Sequence, residues 1–246
     1  MGVLLEADGI SFAYEDRLVI DDVSLTVDSN DFLGLVGPNG GGKTTLLKLL
    51  LGLKRPQRGS IRLFGEPIDG FTEGERIGYI PQERSDLDRS MPITVREVVS
   101  MGRYPHVGLN SLRTKDKALV VDAIETVGLT EEANTRIGKL SGGQRQRAAI
   151  ARMLAGEAEL LALDEPTVGI DAEAREHFYE LLTELHQSGV TIILIEHDLG
   201  LVIEHADRVA CINKTLRYLG NSDSFLESDA LVETFGTAGK ALQAFN

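Results

Sequence analysis

Phe32-Leu33-Gly34-Leu35-Val36-Gly37-Pro38-Asn39-Gly40-Gly41-Gly42-Lys43-Thr44 leads from a compact apolar run through a glycine-rich turn into an apolar-periodic stretch, Thr45 to Leu51, that closes at Gly52. The run reads as a buried strand and the periodic stretch as a helix, so the turn joins a strand end to a helix N-terminus. In that context Gly37 to Thr44 fits GxxxxGK[ST]. The glycines let backbone N–H groups converge on phosphate oxygens with no side chain in the way, and the helix end adds a positive dipole. The expected nucleotide contacts are Gly37, Pro38, Asn39, Gly40, Gly41, Gly42, Lys43, Thr44 and Thr45. Lys43 is expected to reach the β- and γ-phosphates, and the Thr44 hydroxyl to coordinate Mg²⁺.

Working outward, apolar and polar residues alternate from Leu4 to Val27, with Asp8-Gly9, Glu15-Asp16 and Asp21-Asp22 between them. That pattern predicts short antiparallel strands. Another short strand is expected over Ile61 to Phe64, after the turn at Arg58-Gly59-Ser60. Thr94 to Ala155 reads as mostly helical, with breaks at Pro105, Gly108, Gly128 and Gly138. Strand and helix then alternate over 160–163, 172–187, 191–195 and 199–205, before a strand pair around Asn213-Lys214. The fold class is therefore α/β: a P-loop NTPase core with a parallel sheet, an N-terminal antiparallel β subdomain and a helical insertion subdomain. The expected boundaries within one domain are 1–82 and 159–246 for the core and 83–158 for the helical part.

The 246 residues, 42% of them hydrophobic and 26% charged, suit one large domain. No apolar run approaches the ~20 residues of a membrane-spanning helix, and MGVLLEADGI does not read as a secretory signal. A lone cysteine, Cys211, agrees with a reducing compartment and reads as a small buried hydrophobe. With a net charge of −13 the chain is a poor duplex binder, and no nucleic acid is expected as partner.

Leu160 to Leu163 is an apolar strand that ends in Asp164 and Glu165. A carboxylate at the strand end suits Mg²⁺ held through its water shell, and its neighbour suits a general base that polarises the attacking water. Leu140-Ser141-Gly142-Gly143-Gln144 opens a helix with Ser141 as its cap. Together with these motifs, in this order, LSGGQ makes the chain resemble the ATP-binding cassette family over nearly its whole length.

The resemblance implies ATP and Mg²⁺ as cofactors, and roles for residues that spacing alone does not assign. Tyr14 matches the aromatic that stacks on adenine, and Gln82 the residue that senses γ-phosphate or metal and joins the insertion to the core. Asp171 matches the D-loop aspartate and His197 the switch histidine on γ-phosphate. The D-loop reads Val168-Gly169-Ile170-Asp171 where Ser-Ala-Leu-Asp is common, and the switch reads Glu196-His197-Asp198 where Ser-His-Asp is common. Both keep the residue that bears the role. The resemblance further implies a head-to-tail pair of cassettes, in which Leu140, Ser141, Gly142, Gly143 and Gln144 contact ATP bound by the other copy.

A short stretch without sustained heptads between phosphate loop and signature excludes a chromosome-maintenance ATPase, and one cassette rather than two argues against a translation factor. The segment Leu87 to Tyr104 resembles the cleft of importer cassettes that receives a helix of the membrane permease. With Gly40-Gly41-Gly42 and Ala210 to Leu216 it looks most like the zinc and manganese importers. Gly102-Arg103-Tyr104-Pro105-His106 also looks like siderophore, haem and cobalamin importers, and a soluble iron–sulfur assembly ATPase is a further alternative. The implied setting is the cytoplasmic face of a membrane, with a permease as direct partner and an extracytoplasmic solute-binding protein as an indirect one. No cluster with metal-ligand spacing is expected to hold the cargo in this chain.

Overall fold

The computed structural model describes residues 2–82, 92–108, 110–236 and 239. They form two compact units, 1–72 with 191–246 and 73–190. The first unit opens with β1 (Val3–Tyr14), β2 (Arg17–Asp28), β3 (Phe32–Val36), α1 (Lys43–Leu50), β4 (Arg58–Leu63) and β5 (Glu66–Pro67). The second holds β6 (Ile77–Ile80), α2 (Val95–Ser100), α3 (Tyr104–Val107), α4 (Thr114–Thr126), α5 (Gly142–Ala155), β7 (Leu160–Asp164) and α6 (Ala172–Gln187). The chain returns to the first with β8 (Thr191–Ile195), α7 (Leu199–His205), β9 (Arg208–Asn213), β10 (Thr215–Asn221), α8 (Ser222–Leu226) and α9 (Asp229–Phe235).

In the first unit β1 pairs antiparallel with β2 and β4. The expected short strands are instead two long ones, each of 12 residues. Asp8-Gly9 and Asp21-Asp22 are irregularities inside them, where the register shifts. Gly9 and Asp22 take left-handed φ values of 57° and 51°. Their displaced N–H groups donate to Ser24 Oγ at 2.8 Å and to Ser11 Oγ at 3.1 Å. Side-chain acceptors thus let the strands run on past residues that usually mark turns.

The same unit carries β3 parallel to both β8 and β9, with β10 antiparallel to β9. Every residue of β3 and β8 is buried, which explains their unbroken apolar sequences. Gly34, in β3, lies under α7: a Cβ there would come within 2.2 Å of Val202 Cγ1. Overpacking of this kind costs about 1–3 kcal/mol. Urea unfolding of Gly34→Ala is expected to show a loss of that size, and an unchanged midpoint would remove helix packing as the reason for this glycine. Cys211 is buried in β9, where burial pushes its thiol pKa up.

In the second unit β6 and β7 run parallel, while α2, α4 and α5 pack together over Val98, Val99, Val120, Ile124, Ala148 and Ala151, all buried. The helix breaks just ahead of Pro105, between α2 and α3, and the proline sits in the first turn of α3, where its missing N–H costs nothing. Just before it stands a buried cation, Arg103. Its guanidinium meets Asp116 at 3.0 Å, Glu157 at 2.5 Å and the Ala155 carbonyl at 2.9 Å. The Arg113 backbone N–H, and then Arg103, hold the Asp116 carboxyl below its ordinary range. Stability from this carboxylate is therefore complete above the ordinary carboxylate pKa and is lost as pH falls through the lowered one.

Candidate functional site

The phosphate loop bridges β3 and α1, and packing as much as ligand chemistry dictates its glycines. Gly37 has φ 151° and Gly42 φ 102°, both on the left-handed side. A Cβ on Gly37 would lie 1.9 Å from the Ile212 carbonyl oxygen, and one on Gly42 would lie 2.9 Å from that of Val19. Gly41 is pinned by its N–H donating to Pro38 O at 3.0 Å and its carbonyl accepting from Lys214 N–H at 2.8 Å. Inside this cradle Lys43 is 6% exposed, its ammonium donating to the carbonyls of Gly37 at 2.9 Å and Pro38 at 3.2 Å. The cation is thus held at the loop rather than extended into solvent. These residues fit a polyphosphate: a backbone loop with no room for a side chain at Gly37, Gly41 or Gly42, with a positive charge fixed beside it.

Tyr14 ends β1 and is 44% exposed. His197 is exposed in the turn after β8, and its backbone N–H donates to Glu196 Oε2 at 3.2 Å. Asp198 caps α7, accepting from Gly200 and Leu201 N–H groups at 3.1 and 3.4 Å.

The second unit holds the other expected residues. Asp164, wholly buried, closes β7, and Glu165 follows at 8% exposure with φ 50°. A left-handed non-glycine residue costs energy and marks a constrained position. Gln82 Nε2 donates to Glu165 Oε2 at 2.6 Å, so these two residues, 83 positions apart, form one polar pair. Ser141 is the N-cap of α5, its Oγ accepting from Gln144 N–H at 3.2 Å while Gln144 Oε1 accepts from Ser141 N–H at 2.9 Å. Gln144 also donates to Glu132 at 3.0 Å, and Leu140 is buried. A Cβ on Gly143 would come within 2.9 Å of Ala174 Cβ, and one on Gly142 within 3.8 Å of Gly169 O, so the start of α5 abuts the D-loop. Asp171 caps α6, accepting from Ala174 N–H at 2.9 Å. Arg145 and Arg147 donate to the carbonyls of Leu140 and Val127, bracing α5 from both sides.

Comparison with known proteins gives this arrangement its family. A family model described as ABC transporter matches residues 20–168. The chain belongs to that family. The cassette is 40% identical over 227 residues to the zinc uptake system ATP-binding protein ZurA of Listeria innocua, covering 92% of this chain and 88% of that one. It is 38% identical over 241 residues to the manganese transport system ATP-binding protein MntB of the same organism, covering 98% and 99%. A solved ABC transporter described as of metal-chelate type, in an inward-facing conformation, has 30% identity and a TM-score of 0.82 over 96% of this chain and 89% of that one.

Three features of the cassette escape a reading of motifs. Arg103 stands in an ordinary-looking string, yet it ties α3 to the end of α5. Glu196 reads as a departure from the switch pattern, and it is buried at 6% exposure. The Gln82–Glu165 pair joins residues that no local spacing connects. Only Tyr14 carried a hint of its surroundings, since Phe12 shares its face of the strand at the i, i+2 interval.

Proposed function

We propose that the cassette is the motor of an importer, binding and hydrolysing ATP to drive uptake of zinc or manganese. The observation that carries the nucleotide reading is the glycine cradle with the Lys43 ammonium held inside it. The phosphate loop from Gly37 to Thr45 binds the polyphosphate and Tyr14 stacks on adenine. Thr44, Gln82 and Asp164 would hold Mg²⁺, which when bound would neutralise phosphate charge. Glu165 accepts a proton from the attacking water, Gln82 orients that carboxylate, and His197 contacts the γ-phosphate. Residues Leu140 to Gln144 and Asp171 meet the nucleotide of a second copy. For that contact Ser141 offers a hydroxyl and a helix N-terminus offers N–H groups.

The partners we infer are that second copy, a membrane permease and, through it, an extracytoplasmic solute-binding protein, with the cassette on the cytoplasmic face. Within the second unit a cavity of about 330 Å³, lined in part by Gly78, Tyr79, Met101, Pro105 and Met153, suits an inserted permease segment. Tyr104 beside it is 52% exposed. The earlier part of the expected cleft, Leu87 to Met91, lies outside the described residues. Among the described residues no helix is long and apolar enough to cross a membrane.

The zinc and manganese systems among the relatives support the cargo. Vesicles carrying the cassette, its permease and its binding protein are expected to take up zinc or manganese when Mg-ATP is inside. Uptake of a siderophore or cobalamin, with neither metal moving, would overturn the cargo and leave the motor role standing.

A further inference from the structure

The ring of Tyr14 does not stand alone. It meets Phe12 edge to face, with centroids 5.0 Å apart and planes at 86°. The Lys54 ammonium lies 4.8 Å from the Tyr14 centroid and 5.6 Å from that of Phe12. Lys54 stands four residues past the end of α1, and its backbone N–H donates to the Lys48 carbonyl at 3.0 Å, which ties it to that helix's last turn. The peptide between the two rings is clamped as well. Gln57 Oε1 accepts from Ala13 N–H at 2.9 Å, and Gln57 Nε2 donates to Ala13 O at 3.2 Å. On the other flank of the β1–β2 hairpin, Val19 and Ile20 butt against Gly42 of the phosphate loop. The hairpin is thus braced at two places, against Gly42 of the phosphate loop before α1 and against Lys54 beyond that helix's end.

A cation over an aromatic face is attracted by the ring's quadrupole. An exposed tyrosine that stacks on a ligand gives up rotamer freedom as it does so. A ring already held by Lys54, on a backbone already held by Gln57, has little of that freedom left to lose. We propose that Lys54 is a positioning residue for base recognition: its ammonium fixes the Tyr14 ring as a preorganised platform for a purine, registered to the phosphate loop through α1. The proposal rests on the reading of Tyr14 as the adenine platform.

The test is a calorimetric titration of the full chain with Mg-ATP and, separately, with inorganic tripolyphosphate, which has no base. Lys54→Met is expected to weaken ATP binding about two- to fivefold, the size of one exposed cation–π contact, and to leave tripolyphosphate binding unchanged. Lys54→Arg, whose guanidinium also stacks on rings, is expected to restore ATP affinity. Unchanged or tighter ATP binding by Lys54→Met overturns the proposal, and so does an equal loss for tripolyphosphate, which would assign Lys54 to the phosphates or to folding. Tyr14→Ala separates the two layers. Weaker ATP binding in that variant, with no further loss on adding Lys54→Met, supports both readings. Full ATP affinity without the ring would sink the platform and Lys54's role with it.

Discussion

Replacing Lys43 with alanine is expected to weaken Mg-ATP binding by ~10²-fold or more, because it removes the charge fixed beside the phosphate cradle. The argument starts from burial. A lysine is rarely 6% exposed unless its ammonium has partners, and here the carbonyls of Gly37 and Pro38 supply them. These two carbonyl oxygens accept hydrogen bonds without carrying a formal charge, so they hold the ammonium beside the loop without themselves neutralising it. The alanine variant also leaves two loop carbonyls without this donor, which could unsettle the loop itself. Lys43→Met keeps the stem and its packing, and is expected to lose ATP affinity to the same extent while unfolding at the wild-type temperature. Titration at matched Mg²⁺ decides the matter: wild-type affinity in either variant would refute the assignment of this loop as the nucleotide site.

Much of this molecule could be read from its sequence because its chemistry is local. The phosphate loop, the LSGGQ cap and the paired acids after β7 are short, and each depends on backbone conformations that only certain residues allow. The parallel strands were equally plain, since β3 and β8 are buried on every residue and carry no polar alternation to confuse the pattern. The misreadings have the opposite origin. Asp8-Gly9 and Asp21-Asp22 have turn composition, but Ser24 and Ser11, distant in sequence, absorb the displaced N–H groups and keep both strands running. The buried polar pairs, Arg103 with Asp116 and Gln82 with Glu165, are products of tertiary structure and leave no periodic trace. Gln82 took its role from family resemblance and Glu165 from its place at a strand end; their 2.6 Å contact makes them a single unit to be tested together.

That unit carries the other large effect. Glu165→Gln is expected to lower ATP hydrolysis by ~10²-fold or more while leaving nucleotide binding in place. The substitution exchanges one carboxylate oxygen for an amide nitrogen at nearly constant volume. Its remaining oxygen can still accept from Gln82 Nε2, so the polar pair and the left-handed backbone at φ 50° are retained. What disappears is the capacity to take a proton from water. Gln82→Ala makes the useful contrast: it leaves the base but removes the group that orients it, so its hydrolysis rate should fall less than that of Glu165→Gln. Phosphate release at saturating Mg-ATP measures both variants. With turnover blocked, the two-copy ATP-bound state should accumulate in Glu165→Gln, and sedimentation is expected to show a dimer that dissociates when the nucleotide is removed. Hydrolysis at the wild-type rate would dismiss Glu165 as the base. A base-dead chain that stays monomeric at saturating Mg-ATP would instead count against the head-to-tail pairing, leaving the chemistry of the single cassette intact.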